Sequence, residues 1–280
     1  MFTSSPPQSV YGVDFSGAAR AGETIWVARL RSRRAFPWAV AGLWRLADRT
    51  GRAERAAALA ALVRWITRTH SAVWGFDFPF GLPVGLGFGG WPGVVRAVSR
   101  WDGGAYAFGV ECVTRAEALF GTKHIRRQTD GLAPFDPVHY RVIYQTFHGI
   151  RDVLGPLRAD PATAVLPFQD ASAAGVRRVA IETCTTAALK SWGLPHQRYK
   201  EPTAATVSRT GRAVRQTILR GLKPFVEVPS PIRRVIMADP GGDALDAVVA
   251  SVAAARAWTR GDHPAKTPSR LGKREGVQWY

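Results

Sequence analysis

Acids are scarce in this chain. Its 280 residues carry 21 Asp and Glu against 38 Lys and Arg, a formal net charge of +17. Cysteine is scarcer still. Cys112 and Cys184 stand alone, which excludes a disulfide framework and a cysteine metal cluster. The histidines (His70, His124, His139, His148, His196 and His263) show no metal-ligand spacing. No apolar run is long enough to span a bilayer. The start, Met1 to Gln8, is polar and rich in Pro and Ser, without the apolar core of a secretion signal. These absences point to a cytoplasmic protein with no membrane segment. There is no P-loop and no Gly-rich dinucleotide fingerprint. Ser16 lacks the Gly-x-Ser-x-Gly elbow of a hydrolase nucleophile.

What is present suits a sizeable core. The chain is 46% hydrophobic and holds 10 Trp, which argues against disorder and for one domain over residues 1–280. The excess of bases favours a polyanionic partner, nucleic acid first, whether DNA or RNA.

Apolar periodicity organises the chain as strands and helices. Ser9 to Asp14 reads as a buried strand, Thr24 to Leu30 as a second and Trp38 to Leu46 as a third, in an antiparallel meander. Arg52 to Arg68 has Leu59, Leu62, Val63 and Ile66 at helical spacing. Ser71 to Asp77 is apolar without alternation, as in a central parallel strand. Residues 86–175 are dense in Gly, Pro and Trp. They read as a helical insertion with helices at Pro92 to Arg100, Cys112 to Phe120 and Pro137 to Leu157. Val176 to Glu182 is a fifth strand. Helices follow at Thr183 to Trp192, Arg212 to Leu222 and Asp243 to Thr259. The stretch Arg260 to Tyr280 is a basic tail.

Because acids are few, their positions are informative. Four motifs stand out: Val13-Asp14-Phe15-Ser16-Gly17, Gly75-Phe76-Asp77-Phe78-Pro79, Ile181-Glu182-Thr183, and Asp243-Ala244-Leu245-Asp246-Ala247. In three of them an acid ends an apolar strand. A carboxylate there is costly without a cation or a donor beside it. Side chains at the carboxyl ends of adjacent parallel strands converge on one crevice. Asp14 and Asp77 would meet there if their strands are neighbours, and they would repel unless a cation bridges them. Glu182 implies a partner of its own, an Arg or the same cation. Asp243 and Asp246 point to one side of a helix. First-turn acids also cap free N–H groups, which accounts for one of the two. Carboxylate oxygens suit Mg²⁺ or Mn²⁺. Two such ions, about 3.5–4 Å apart, could activate water and stabilise the leaving oxygen of a phosphodiester.

The order of these elements resembles the ribonuclease H-like superfamily. The closer resemblance is to the domain-of-unknown-function-429 family of predicted nucleases. It rests on Gly12-Val13-Asp14, Gly75-Phe76-Asp77-Phe78-Pro79-Phe80-Gly81, Ile181-Glu182-Thr183, Tyr199-Lys200 and Asp243-Ala244-Leu245-Asp246-Ala247, with Glu275-Gly276 near a terminal aromatic. The resemblance implies an α/β ribonuclease H-like fold, with a mixed five-stranded sheet flanked by helices and a helical insertion at 86–175. It also implies metal-dependent hydrolysis of phosphodiester bonds.

On this reading Asp14, Asp77 and Asp246 are the metal ligands. Glu182 and Asp243 are secondary ligands or orient water. Lys200, Arg126 and Arg127 position phosphate, with Lys123 in the same basic cluster. Two alternatives remain open. One is a catalytically silent module of the same fold that binds nucleic acid by charge, marked by an Arg or Lys among the acids. The other is an actin-like phosphotransferase. That needs a second phosphate loop, for which Asp239-Pro240-Gly241-Gly242 is the sole candidate.

Overall fold

The computed structural model describes residues 7–32, 38–259 and 269–280. Of the predicted basic tail, 260–268 lies outside the described residues, as does 1–6 of the polar start.

The chain opens with β1 (Ser9–Asp14), β2 (Trp26–Arg31) and β3 (Trp38–Arg45), then helix α1 (Arg55–Thr67) and β4 (Ala72–Phe76). Helices α2 (Trp91–Arg100) and α3 (Gly104–Phe120) follow. Next, α4 (Ile143–His148) runs through a π-helical turn at Gly149–Leu154 into Gly155–Ala159. The second half holds β5 (Thr163–Val165), β6 (Arg178–Glu182), α5 (Thr185–Ser191), α6 (Arg209–Leu222), β7 (Val226–Glu227), α7 (Ser230–Ala238), α8 (Asp243–Thr259) and α9 (Gly272–Glu275).

All the strands join one mixed sheet in the order β5-β6-β4-β1-β2-β3-β7. β1, β2 and β3 are antiparallel neighbours, while β4 runs parallel to β1 and to β6. The sheet therefore has seven strands rather than the expected five. The two additional strands are edges of three and two residues, too short to show a period in the sequence. One of them, β5, falls inside the stretch read as a helical insertion.

The sheet divides the core. On one face Tyr11, Val13, Trp74 and Phe76 pack against α1, α2, α3 and α4. Tyr11 and Trp74, opposite each other on β1 and β4, stack with ring centroids 3.9 Å apart. On the other face Val10, Ala28, Val73, Val179 and Ile181 pack against α8.

α8 is held unusually close to the sheet by glycine. A Cβ on Gly12 would lie 2.1 Å from the Ser251 nitrogen and 2.3 Å from the Ala247 carbonyl oxygen. Gly75, beside it on β4, would put a Cβ 2.9 Å from that of Ala254. Only glycine permits this approach. It sets the first turn of α8 beside the carboxyl ends of β1 and β4.

Helix α3 is longer than the predicted Cys112 to Phe120. Gly104 and Gly109 weaken its helical signal in the sequence. In the structure Gly109 lets Ile143 of α4 pack closely, its Cγ1 only 2.9 Å from where a Cβ would stand.

Candidate metal centre

Asp14 ends β1, and Asp77 follows β4 directly. Val13 and Phe76 are register partners, and the Asp77 N–H donates to the Val13 carbonyl at 3.0 Å. The two carboxylates thus leave the sheet side by side. Asp246, one turn into α8, completes the group. Carboxylate oxygens of Asp14, Asp77 and Asp246 all lie within 4.8 Å of one another. Asp246 is buried, and Asp14 and Asp77 are partly buried.

Helix capping does not claim the acids of α8. The Ala244 N–H is taken by Asp239 Oδ2 at 2.9 Å, so Asp239 serves the start of the helix. This leaves the carboxylates of Asp243 and Asp246 for other partners. It also gives Asp239-Pro240-Gly241-Gly242 a structural duty.

Each member of the triad is held differently. The Asp77 carboxylate accepts from the Thr185 hydroxyl and, at 3.3 Å, from the Thr185 N–H. Asp246 accepts from the Tyr199 hydroxyl at 2.8 Å and from Lys200 Nζ at 2.5 Å. Among the described residues none donates a hydrogen bond to the Asp14 carboxylate.

The electrostatics follow from this crowding. Burial pushes the Asp77 carboxyl up to about 6, against the opposing pull of the Thr185 hydroxyl. Burial raises Asp14 well above the usual carboxylate range, and Asp243, Asp246 and Asp77 add to the rise. Asp246 is raised by burial too, although Lys200 opposes this. For Lys200 burial works against the charge, but Asp246, Asp14 and Asp243 outweigh it and lift the ammonium well above its ordinary value.

Lys200 also meets Asp243, with Nζ 3.1 Å from its Oδ1. This lysine was expected to contact phosphate. It stands instead against the acids, in the space where a Lys was named as the mark of a silent site. One ammonium cannot neutralise four carboxylates. Burial first, and the crowding of acids second, make the ionised carboxylates of Asp14, Asp77 and Asp246 costly, and a divalent cation among them would relieve both. The donor set of hard carboxylate oxygens therefore fits a metal ion, and Asp14 has its donor capacity free for one.

Glu182 has the Arg that was one of its two expected partners, not a place among the clustered acids. It lies at the end of β6, but both its oxygens are engaged by the Arg127 guanidinium, at 2.8 Å for Oε2. The Phe80 N–H also donates to Oε2 at 2.8 Å. Burial lifts the Glu182 carboxyl, with Arg127 pulling the other way. Arg127 was expected to bind phosphate, and it is buried in this ion pair and in another with Asp130. It further donates to the Glu275 carbonyl at 3.0 Å. The pair joins the insertion, the sheet and the C-terminal segment. Its partners are far apart in sequence, so no local signal announces it.

Arg126 is redirected as well. It donates to the Ala133 carbonyl at 2.5 Å and to the Pro134 carbonyl at 2.9 Å. Lys123 is exposed and does not line the site.

A cavity of about 520 Å³ lies over the triad. Its floor is Asp14, Asp77 and Asp246. One wall comes from the segment before and within α4, with Ala133, Phe135, Arg141 and Gln145. Lys190, His196 and Arg198 also line the cavity. Two further residues matter here. Thr185 and Tyr199 orient Asp77 and Asp246. Thr185 gives no local signal, and Tyr199 stood in the sequence only as part of the Tyr199-Lys200 motif, with no role assigned.

Residues 163–269 match the family model described as a protein of unknown function, DUF429. The DUF429 segment takes in Glu182, Thr185, Tyr199, Lys200, Asp243 and Asp246, and leaves Asp14 and Asp77 before it. The resemblance to this family, read from short motifs, is met over that part of the chain. No curated protein and no solved structure matches. Among the described residues no helix is long and apolar enough to cross a membrane.

Proposed function

We propose that this protein is a metal-dependent hydrolase of phosphodiester bonds in nucleic acid, built on a ribonuclease H-like sheet. The observation that carries the proposal is the convergence of Asp14, Asp77 and Asp246 within 4.8 Å. The sheet supports it. A β3-β2-β1 meander, continued by parallel β4 and β6, is the arrangement expected from the sequence resemblance. The net charge of +17 suits a polyanionic substrate.

In this mechanism Asp14, Asp77 and Asp246 would hold Mg²⁺ or Mn²⁺, with Asp243 at the margin. The ion would supply an activated water and charge stabilisation at the phosphate. Thr185 and Tyr199 keep the carboxylates of Asp77 and Asp246 aimed into the site. With two N–H groups on Asp246 and Asp243, Lys200 has one left to offer a non-bridging oxygen of the phosphate, a point charge suited to that contact. Glu182 acts through Arg127 by fixing the insertion against the end of β6.

Cleavage of labelled single- and double-stranded oligonucleotides in Mn²⁺ tests the proposal, with Asp14→Asn as the variant. Metal-dependent cleavage by the parent and its loss in Asp14→Asn is the expected result. Equal cleavage by both would overturn it.

A second reading has its own observation, the Lys200 pairs with Asp246 and Asp243. In a silent nucleic-acid-binding module Lys200 would be a permanent internal cation. Salt-sensitive binding of nucleic acid, with no saturable Mn²⁺ binding, would favour that reading.

A further inference from the structure

Phe135 and Arg141 line the cavity beside the carboxylates, and from Phe135 a cluster of rings continues outward. Phe135 and His139 stack with centroids 4.4 Å apart and planes at 23°. His139 continues to Tyr140 at 4.5 Å. The Arg141 guanidinium lies 5.5 Å above the Phe135 ring and 5.7 Å above that of Tyr140. Its Nε also donates to the Tyr140 hydroxyl at 3.1 Å.

Two features separate this array from ordinary core packing. First, its outer end is turned to solvent. Tyr140 is 69% exposed and Arg141 is exposed beside it, while Phe135 and His139 are half-buried. Aromatic side chains of this size are normally driven into the core, where they remove the most apolar area from water. Second, its inner end reaches the cavity of the carboxylates, since Phe135 and Arg141 line it; His139 and Tyr140 stand beside that lining. The segment is also rigid. Arg126 holds the Ala133 and Pro134 carbonyls, and Lys190 Nζ donates to the Leu132 carbonyl at 3.2 Å. Buried Asp136 accepts from the Val138 N–H at 3.0 Å.

An exposed ring backed by further rings and a guanidinium suits an unstacked nucleobase, because every base offers a π face. Arg198, which also lines the cavity, is a non-glycine residue with φ of 63°, a backbone conformation that carries strain and clusters at ligand sites. It adds a cation to the cavity lining. A cavity of about 520 Å³ is the size of a small-molecule site. A base must leave its helix to stack on a side chain.

We infer that the Phe135–Arg141 wall is a stacking platform for an unpaired base, so that the carboxylate site takes single-stranded nucleic acid and not duplex. The inference rests on the nuclease reading for the orientation of the strand. The rings hold the base, Arg198 meets the backbone, and the phosphate reaches the triad.

Fluorescence anisotropy of the full chain in Ca²⁺ tests it. The probes are labelled oligothymidine, the same strand as a duplex, an abasic strand of equal charge, and oligouridine to separate DNA from RNA. The expected result is at least about tenfold tighter binding of the single strand than of the duplex or the abasic strand. Tyr140→Ala should weaken single-strand binding by about 5- to 150-fold, the range for one stacked base. Tyr140→Phe should retain it. Tyr140 is exposed, so its variants keep the fold, and an unchanged melting curve verifies that. Equal binding of the abasic strand or of the duplex, or no effect of Tyr140→Ala, would overturn the inference. Mn²⁺ titration of the same proteins separates the two proposals. Loss of single-strand binding with intact Mn²⁺ binding isolates the platform. An Asp14→Asn protein that binds Mn²⁺ like the parent defeats the metal reading without touching the stacking result.

Discussion

Lys200 Nζ lies 2.5 Å from the Asp246 carboxylate, and the same ammonium reaches Asp243 at 3.1 Å. The lysine therefore shares the charge of a site that a metal would also claim. It competes with a cation for Asp246 but satisfies only part of the negative charge. The side chain is 39% exposed, so it can swing toward solvent without leaving a buried ammonium behind.

Lys200→Ala removes that competitor. We expect Mn²⁺ to bind about tenfold more tightly to this variant, because a like charge beside the ion is gone. The metal-free variant should melt at a lower temperature than the parent at pH 8. Isothermal titration with Mn²⁺ and melting curves measure both. Weaker Mn²⁺ binding would mean that Lys200 helps to build the metal site rather than opposing the ion.

The raised carboxyl groups set a pH dependence. Asp77 stands at about 6 in the folded protein against 3.8 for an unperturbed carboxyl. A folded-state value above the unfolded one makes a contribution to stability that is whole below about pH 4. That contribution is lost as pH rises through about 6. The metal-free protein should therefore lose stability across that window. Added Mg²⁺ should restore it, most strongly above pH 6, where protons no longer compete for the oxygens. Melting temperature against pH, with Mg²⁺ and with EDTA, gives the two curves. Parallel curves from pH 4 to 8 would contradict the account.

The buried Arg127–Glu182 pair makes a different prediction. Arg127→Ala leaves Glu182 charged and unpaired in the interior, which costs about 3–5 kcal/mol. Arg127 also ties the insertion to Glu275, so the loss should free the 126–136 segment. Denaturant melts measure the cost, and hydrogen exchange locates the loosening. Mn²⁺ affinity of the folded variant should stay near that of the parent, since Glu182 is not one of the three clustered acids. A collapse of Mn²⁺ affinity in a protein that melts normally would return Glu182 to the metal site.

Much of this was legible in the sequence, and the reasons are particular. Asp14 and Asp77 stand out because each ends an apolar run in a chain poor in acids. The parallel pairing of β1 with β4 then brings them together, as their strand character suggested. Asp246 was separable from Asp243 in the sequence only by the argument that capping accounts for one of the pair. What separates them is Asp239, which takes the capping duty from further back, and Gly12, which draws Asp246 down to the sheet. Arg126 and Arg127 misled because a run of bases looks solvated from sequence. Their actual partners, the Pro134 carbonyl and Glu182, come from folding back of the insertion. The edge strands β5 and β7 were invisible because three and two residues hold no period.

The central claim is that a divalent cation sits among Asp14, Asp77 and Asp246. Anomalous diffraction from a crystal soaked in Mn²⁺ tests it most directly. The account predicts an anomalous peak within coordination distance of all three carboxylates, about 2.0–2.3 Å, with Lys200 drawn away from Asp246. The same soak of Asp14→Asn should give no peak. A site with no anomalous density in the parent, and Lys200 still paired with Asp246, would contradict it.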